Sequence, residues 1–193
     1  MIKSSKYYVL KKIAEPNGIA ILGGGNDENI PIGELKQAYS LEDKIYNRSV
    51  NNLSINDAAD IYSSYTASLC ADTVLLHIGA SDLDLLKTNP SDFENKFREL
   101  INTIKAGNKK CNIAIVSIKN NDKPDSVSAL NRELKYIAQS EQCEYYDINK
   151  EKMNNPKQTK EIVSFIYSLG FVRPLTSKRP LYDLVKILFC YDN

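Results

Sequence analysis

Short apolar runs suited to buried strands alternate five times along this chain with stretches of helical spacing, an order that few architectures accommodate. The runs are residues 19–22, 44–47, 73–78, 111–118 and 143–148. Between them, apolar residues recur on one helical face: Ile32, Leu35 and Tyr39; then Ala58, Ile61, Tyr62, Tyr65 and Leu69. Two further stripes follow, Phe93, Phe97, Leu100, Ile101 and Ile104, then Val127, Leu130, Leu134, Ile137 and Ala138. Each intervening stretch is long enough for a crossover helix, so neighbouring strands run parallel and both sheet faces need covering. The expected fold is a three-layer α/β/α, flavodoxin-like sandwich with a five-stranded parallel sheet in the order 2-1-3-4-5.

At 193 residues, one domain accounts for the whole chain, 1–193, with residues 1–18 as an N-terminal extension and 150–193 as a C-terminal helical tail. The 25 Lys and Arg nearly balance the 24 Asp and Glu, so no overall field favours nucleic acid or an anionic membrane. Lys11 and Lys12 interrupt the only early apolar run, and no stretch reaches the roughly 18 apolar residues of a membrane span. A cytoplasmic location is the expectation. Cys70, Cys111, Cys143 and Cys190 form no CxxC pair, so reduced thiols and no metal or cofactor are expected. The first three precede strands that should be neighbours, which leaves a metal or disulfide cluster as the sharper and less favoured alternative.

Local signals place the junctions. Pro16-Asn17-Gly18 marks a turn before the first strand, and Gly23-Gly24-Gly25 follows it. Ser54 or Asn56 suits the cap of the second helix and Asn89-Pro90 the start of a later one. In an open parallel sheet, ligands bind beyond the carboxyl ends of the strands where the strand order reverses. That rule directs attention to residues 23–26 and 79–82. Gly24, Gly25 and Asn26 could present backbone N–H groups to an anion, but Asp27 and Glu28 would repel phosphate, and a tight strand-to-helix turn is the plainer reading. Ser81 and Asp82 could bind a polar ligand, or Asp82 could simply cap the segment that follows it.

Three blocks in these positions resemble the SGNH (GDSL-type) hydrolases, a family of esterases, lipases and carbohydrate deacetylases on a flavodoxin-like fold. TVLLHIGASD is similar to the family block in which an apolar strand runs into Gly-x-Asn-Asp. IAILGGGND stands where the strand-Gly-Asp-Ser block belongs, and YNRSVNN where an Asn-Arg-Gly loop belongs. The resemblance implies the fold, and it implies a catalytic set that this chain lacks. The nucleophilic serine falls on Gly25, the oxyanion-hole asparagine on Ser81, and the Asp and His of the last block on Leu169 and Val172. The only histidine of the chain, His77, lies in the third strand and should point into a helix layer, as a buried imidazole bonded to a backbone or hydroxyl group.

The leading expectation is therefore a catalytically inactive SGNH-hydrolase-like protein with a ligand-binding, partner-binding or structural role. Its candidate ligand-binding residues are Gly24, Gly25, Asn26, Asn47, Arg48, Asn51, Ser81 and Asp82. The alternative is an active esterase, lipase or carbohydrate deacetylase with an unrecognised nucleophile among Ser49, Ser54, Ser81 and Ser177. Arg173, Lys178 and Arg179 form the one basic cluster, suited to an acidic partner or to pairing with nearby carboxylates. The partner itself is left open between a small polar ligand and a protein, with neither nucleic acid nor membrane expected.

Overall fold

The computed structural model describes residues 14–119, 124–149 and 180–191. Five parallel strands, β1 (Ile19–Gly23), β2 (Ile45–Asn47), β3 (Thr73–His77), β4 (Asn112–Val116) and β5 (Glu144–Tyr146), form one sheet in the order β2-β1-β3-β4-β5. The helices are α1 (Ile32–Tyr39), α2 (Ile55–Tyr65), α3 (Leu83–Thr88), α4 (Pro90–Gly107), α5 (Pro124–Ser140) and α6 (Leu181–Phe189). Strand order and helix placement match the three-layer expectation. β2 to β5 are shorter than the apolar runs that mark them, because pairing stops before the runs do, whereas β1 extends one residue further, through Gly23.

Alternation along each strand sorts the side chains into two cores. Ala20, Leu22, Val74, Leu76, Ile113 and Ile115 pack beneath the apolar stripes of α2, α4 and α5. Ile19, Ile21, Leu75, Ala114 and Val116 face the other way, against Leu35 of α1 and Leu184, Val185, Ile187 and Leu188 of α6. The central strands are thus apolar on both sides, as a covered parallel sheet requires.

The helix ends follow their sequence signals. Ser54 caps α2 by accepting a hydrogen bond from the Asn56 N–H at 3.2 Å, and Asn89 caps α4 by accepting one from Asp92 N–H at 3.3 Å. Pro90 then occupies the first turn of α4, where a missing N–H costs nothing. After Gly25 a 3-10 turn over Asp27–Asn29 comes first, and α1 begins beyond Pro31. The short α3 is an additional element that the sequence pattern did not reveal.

Residues 1–13 and 150–179, which include Leu169, Val172, Arg173, Ser177, Lys178 and Arg179, lie outside the described residues. Among the described residues, no helix is long and apolar enough to cross a membrane.

Phe93 and Phe97 of α4 are fully buried, with ring centroids 5.9 Å apart and planes tilted by 46°. Phe97→Ala should cost about 3–5 kcal/mol through lost burial and the cavity left behind. Urea denaturation checks this, and a cost below 1 kcal/mol would contradict the packing described.

Candidate functional site

In the order β2-β1-β3 the chain switches from adding strands on one side of β1 to adding them on the other, the kind of point at which a crevice forms beyond the carboxyl ends of β1 and β3. Gly23, the last residue of β1, is in register with His77, the last of β3. The glycine loop is tied to both neighbours. Gly24 N–H donates to the His77 carbonyl at 3.2 Å, while Val50 N–H donates to the Gly23 carbonyl at 3.1 Å. Asp27 N–H turns the loop back by donating to the Gly24 carbonyl at 3.2 Å.

Within this loop Gly23 and Gly25 are glycines for different reasons. A Cβ on Gly23 would lie 2.0 Å from Asp27 Oδ2, so the carboxylate occupies the space a side chain would need. Gly25 has φ of +57°, and a Cβ there would meet nothing within 4 Å. Among the described residues, position 25 thus has room for a side chain, yet it carries no group able to attack a substrate. Among the described residues, the Gly25 and Asn26 N–H groups take no part in the hydrogen bonds that shape the loop.

Asp27 is the residue the sequence did not single out. Its carboxylate lies 2.6 Å from His77 Nδ1, and both side chains are largely buried. An ionised carboxylate can only accept, so the proton of this bond sits on Nδ1. The expectation of a backbone or hydroxyl partner for His77 is thus replaced by a carboxylate. The imidazole does point into a helix layer, with its centroid 4.6 Å from that of Phe189 in α6 and the rings tilted by 50°. Nε2 is buried and has no hydrogen-bond partner among the described residues. The pair has the Asp-to-His half of a triad's connectivity, with the imidazole ring packed near the Phe189 ring.

Asp82 is committed elsewhere. Oδ1 accepts from Ser54 Oγ at 2.6 Å and Oδ2 accepts from Ile55 N–H at 3.0 Å. It therefore caps α2, across 27 residues of sequence, and makes no side-chain cap bond to its own following helix α3. A carboxylate beside unsatisfied N–H groups at a helix start is favoured both by hydrogen bonding and by the helix dipole.

The remaining candidates divide by exposure. Asn26, Asn51 and Ser81 are exposed at the rim. Asn47 is spent on structure: Nδ2 donates to the Asp27 carbonyl at 2.7 Å and Oδ1 accepts from Ser49 N–H at 3.0 Å. Arg48 is buried, with its guanidinium 5.6 Å from the Tyr46 ring centroid and one N–H donating to the Asn47 carbonyl at 3.2 Å. Among the hydroxyls of the active-enzyme alternative, Ser49 is fully buried and Ser54 serves as a cap. Among the described members of that set, only Ser81 is exposed.

A second polar group sits at the far end of the same sheet edge and was also missed. Buried Ser117 donates to Asp147 Oδ1 at 3.3 Å and accepts from Ile148 N–H at 2.9 Å and Asn149 Nδ2 at 3.1 Å. Asn131 of α5 adds two hydrogen bonds of 2.8 Å to the backbone of Ile118. These bonds pin the exits of β4 and β5. The four cysteines are free thiols, and burial pushes the Cys111 thiol up to about 11. Among the described residues no cluster of His, Cys, Asp or Glu is placed to hold a metal ion.

No protein-family model matches the chain, and no curated protein matches it in sequence. Solved structures match it in shape. A Streptococcus pneumonia protein carrying the name platelet activating factor superposes with a TM-score of 0.65 at 15% identity, covering 84% of this chain and 90% of its own. A GDSL-like lipase from Bacteroides thetaiotaomicron gives 0.60 at 12% identity over 76% and 78% of the two chains. The acetyl xylan esterase AlAXEase gives 0.56 at 12% identity over 90% and 96%. The fold is that of the SGNH hydrolases. On this scaffold the loop after β1 carries Gly25 and the turn after β3 carries Ser81.

The two loop glycines give a direct comparison. Gly25→Ala should cost only about 1 kcal/mol, the strain of a side chain at positive φ. Gly23→Ala must expel Asp27 and leave a buried imidazole without its acceptor, at about 3 kcal/mol. Equal losses in urea denaturation would contradict the assignment of Asp27.

Proposed function

We propose that this protein is a non-hydrolytic member of the SGNH-fold proteins whose crevice binds a small, neutral, hydroxyl-rich ligand. The observation that carries the reading is Gly25, a residue without a side chain at the open position where a nucleophile would stand. The chemistry around it agrees. Acyl transfer needs a nucleophile, a base within reach of its proton and an oxyanion hole. His77 is turned toward Phe189 and Asp82 is held by α2, so neither is poised over the loop.

What the rim does offer is uncharged hydrogen-bonding capacity: the N–H groups of Gly25 and Asn26, the exposed carboxamides of Asn26 and Asn51, and the Ser81 hydroxyl. The carboxylates of Asp27 and Asp82 are already engaged, which leaves Glu28 as the partly exposed acidic group of the loop. A carbohydrate suits such a set, and a neighbour named as an acetyl xylan esterase supports that ligand class.

Two measurements test the two halves of the reading. A fluorophosphonate probe should label no serine, and p-nitrophenyl acetate should turn over no faster than with the heat-denatured protein; stoichiometric labelling of Ser81 would establish the active-esterase alternative instead. Xylo-oligosaccharides should raise Tm in a saturable way that Ser81→Ala weakens, whereas nucleotides should not. Absence of any shift with the oligosaccharides would remove the carbohydrate assignment.

A further inference from the structure

Asn17-Gly18 is the only Asn-Gly pair in the chain, and the fold holds it in an unusual way. Both residues have positive φ, +71° at Asn17 and +90° at Gly18, and Asn17 is exposed. Gly18 cannot be replaced by a larger residue, since a Cβ there would lie 2.5 Å from the Lys44 carbonyl oxygen. The N–H of Gly18 donates to Asp72 Oδ2 at 2.9 Å. That nitrogen is the atom that attacks the Asn side chain when an Asn-Gly pair deamidates.

We propose that Asn17 is a spontaneous deamidation site whose rate is held down by the Asp72 carboxylate. In the reaction, the Gly18 nitrogen loses its proton and bonds to Asn17 Cγ. The Cγ–Nδ2 bond breaks and ammonia leaves, carrying the proton. Water then opens the resulting succinimide at either carbonyl, giving aspartate or isoaspartate. The net change is uptake of one water and release of one ammonia, with no redox step. While Asp72 accepts the Gly18 N–H, removal of that proton beside a negative charge is disfavoured.

The product matters because this turn anchors the sheet. Asn17 N–H donates to the Leu69 carbonyl at 2.9 Å, and the Gly18 carbonyl accepts from Asp72 N–H at 2.9 Å and Thr73 N–H at 3.2 Å. Ile19 N–H donates to the Lys44 carbonyl at 2.7 Å. These bonds set the starting register of β1 against both β2 and β3. Isoaspartate lengthens the main chain by one methylene inside the turn, and either product adds a carboxylate close to Asp72. Deamidation therefore loosens the entry to the central strand.

The full-length protein is incubated at pH 8 and 37 °C and followed by peptide mass spectrometry with isoaspartate detection. Asn17 should be the first asparagine modified, and Asp72→Ala should accelerate it roughly tenfold, the scale of a lost hydrogen bond to a charged group. Ile104→Val, a mild destabilisation in the core of α4, separates local guarding from general loosening. Acceleration by Asp72→Ala alone supports the proposal. Equal acceleration by both variants, no acceleration by Asp72→Ala, or earlier modification of another asparagine would each overturn it.

Discussion

The carboxylate of Asp27 fills the space that any side chain on Gly23 would claim, and much of the crevice follows from that substitution of one group for another. Because the carboxylate sits there, it meets the imidazole at the end of the adjacent strand. With that contact made, the loop curls back through the Asp27 N–H to Gly24 carbonyl bond, with Gly25 inside the curl at positive φ. A largely buried ion-pairing group is costly to leave unmatched, so the loop and β3 are held to one mutual arrangement. The rest of the rim is built outward from this contact, through Asn47 to the Asp27 carbonyl and through Val50 to Gly23.

A second cross-link ties the other side of the crevice. Asp82 leaves its own short helix uncapped and instead satisfies the start of α2 together with Ser54. The two acidic residues nearest the crevice therefore both work as fasteners between segments remote in sequence. Both of these carboxylates are therefore withdrawn from the crevice, although Glu28 in the same loop remains partly exposed. Asp82 also shows why a carboxylate next to a serine is a poor indicator of catalysis when a helix start lies within reach.

Strand order and helical faces were legible in the sequence because they rest on periodicity, which survives without knowledge of the tertiary structure. Val74, Leu75 and Leu76 announce a strand covered on both sides, and Phe93 to Ile104 announce one buried helical stripe. The caps Ser54 and Asn89 were legible for the same reason, since each serves residues two or three positions away. The pairing of Asp27 with His77 was not, because it spans 50 residues and depends on register between β1 and β3. Nor was α3, whose six residues are too few to establish a helical period and end at Asn89-Pro90. The bond from Asp82 to Ile55 was hidden by the stronger local assumption that a carboxylate caps the helix it precedes.

The sheet ends on both sides in strands of three residues, β2 and β5. A row of unpaired N–H and C=O groups on a long flat edge invites another chain to add itself, and three residues offer too short a template for that. Glu144 at the start of β5 places a charge on one edge, and the β2 edge runs directly into a loop laced to β1. Among the described residues, the five-stranded sheet thus keeps its long backbone ladders in the interior and leaves only three residues of each margin to meet whatever lies beside it.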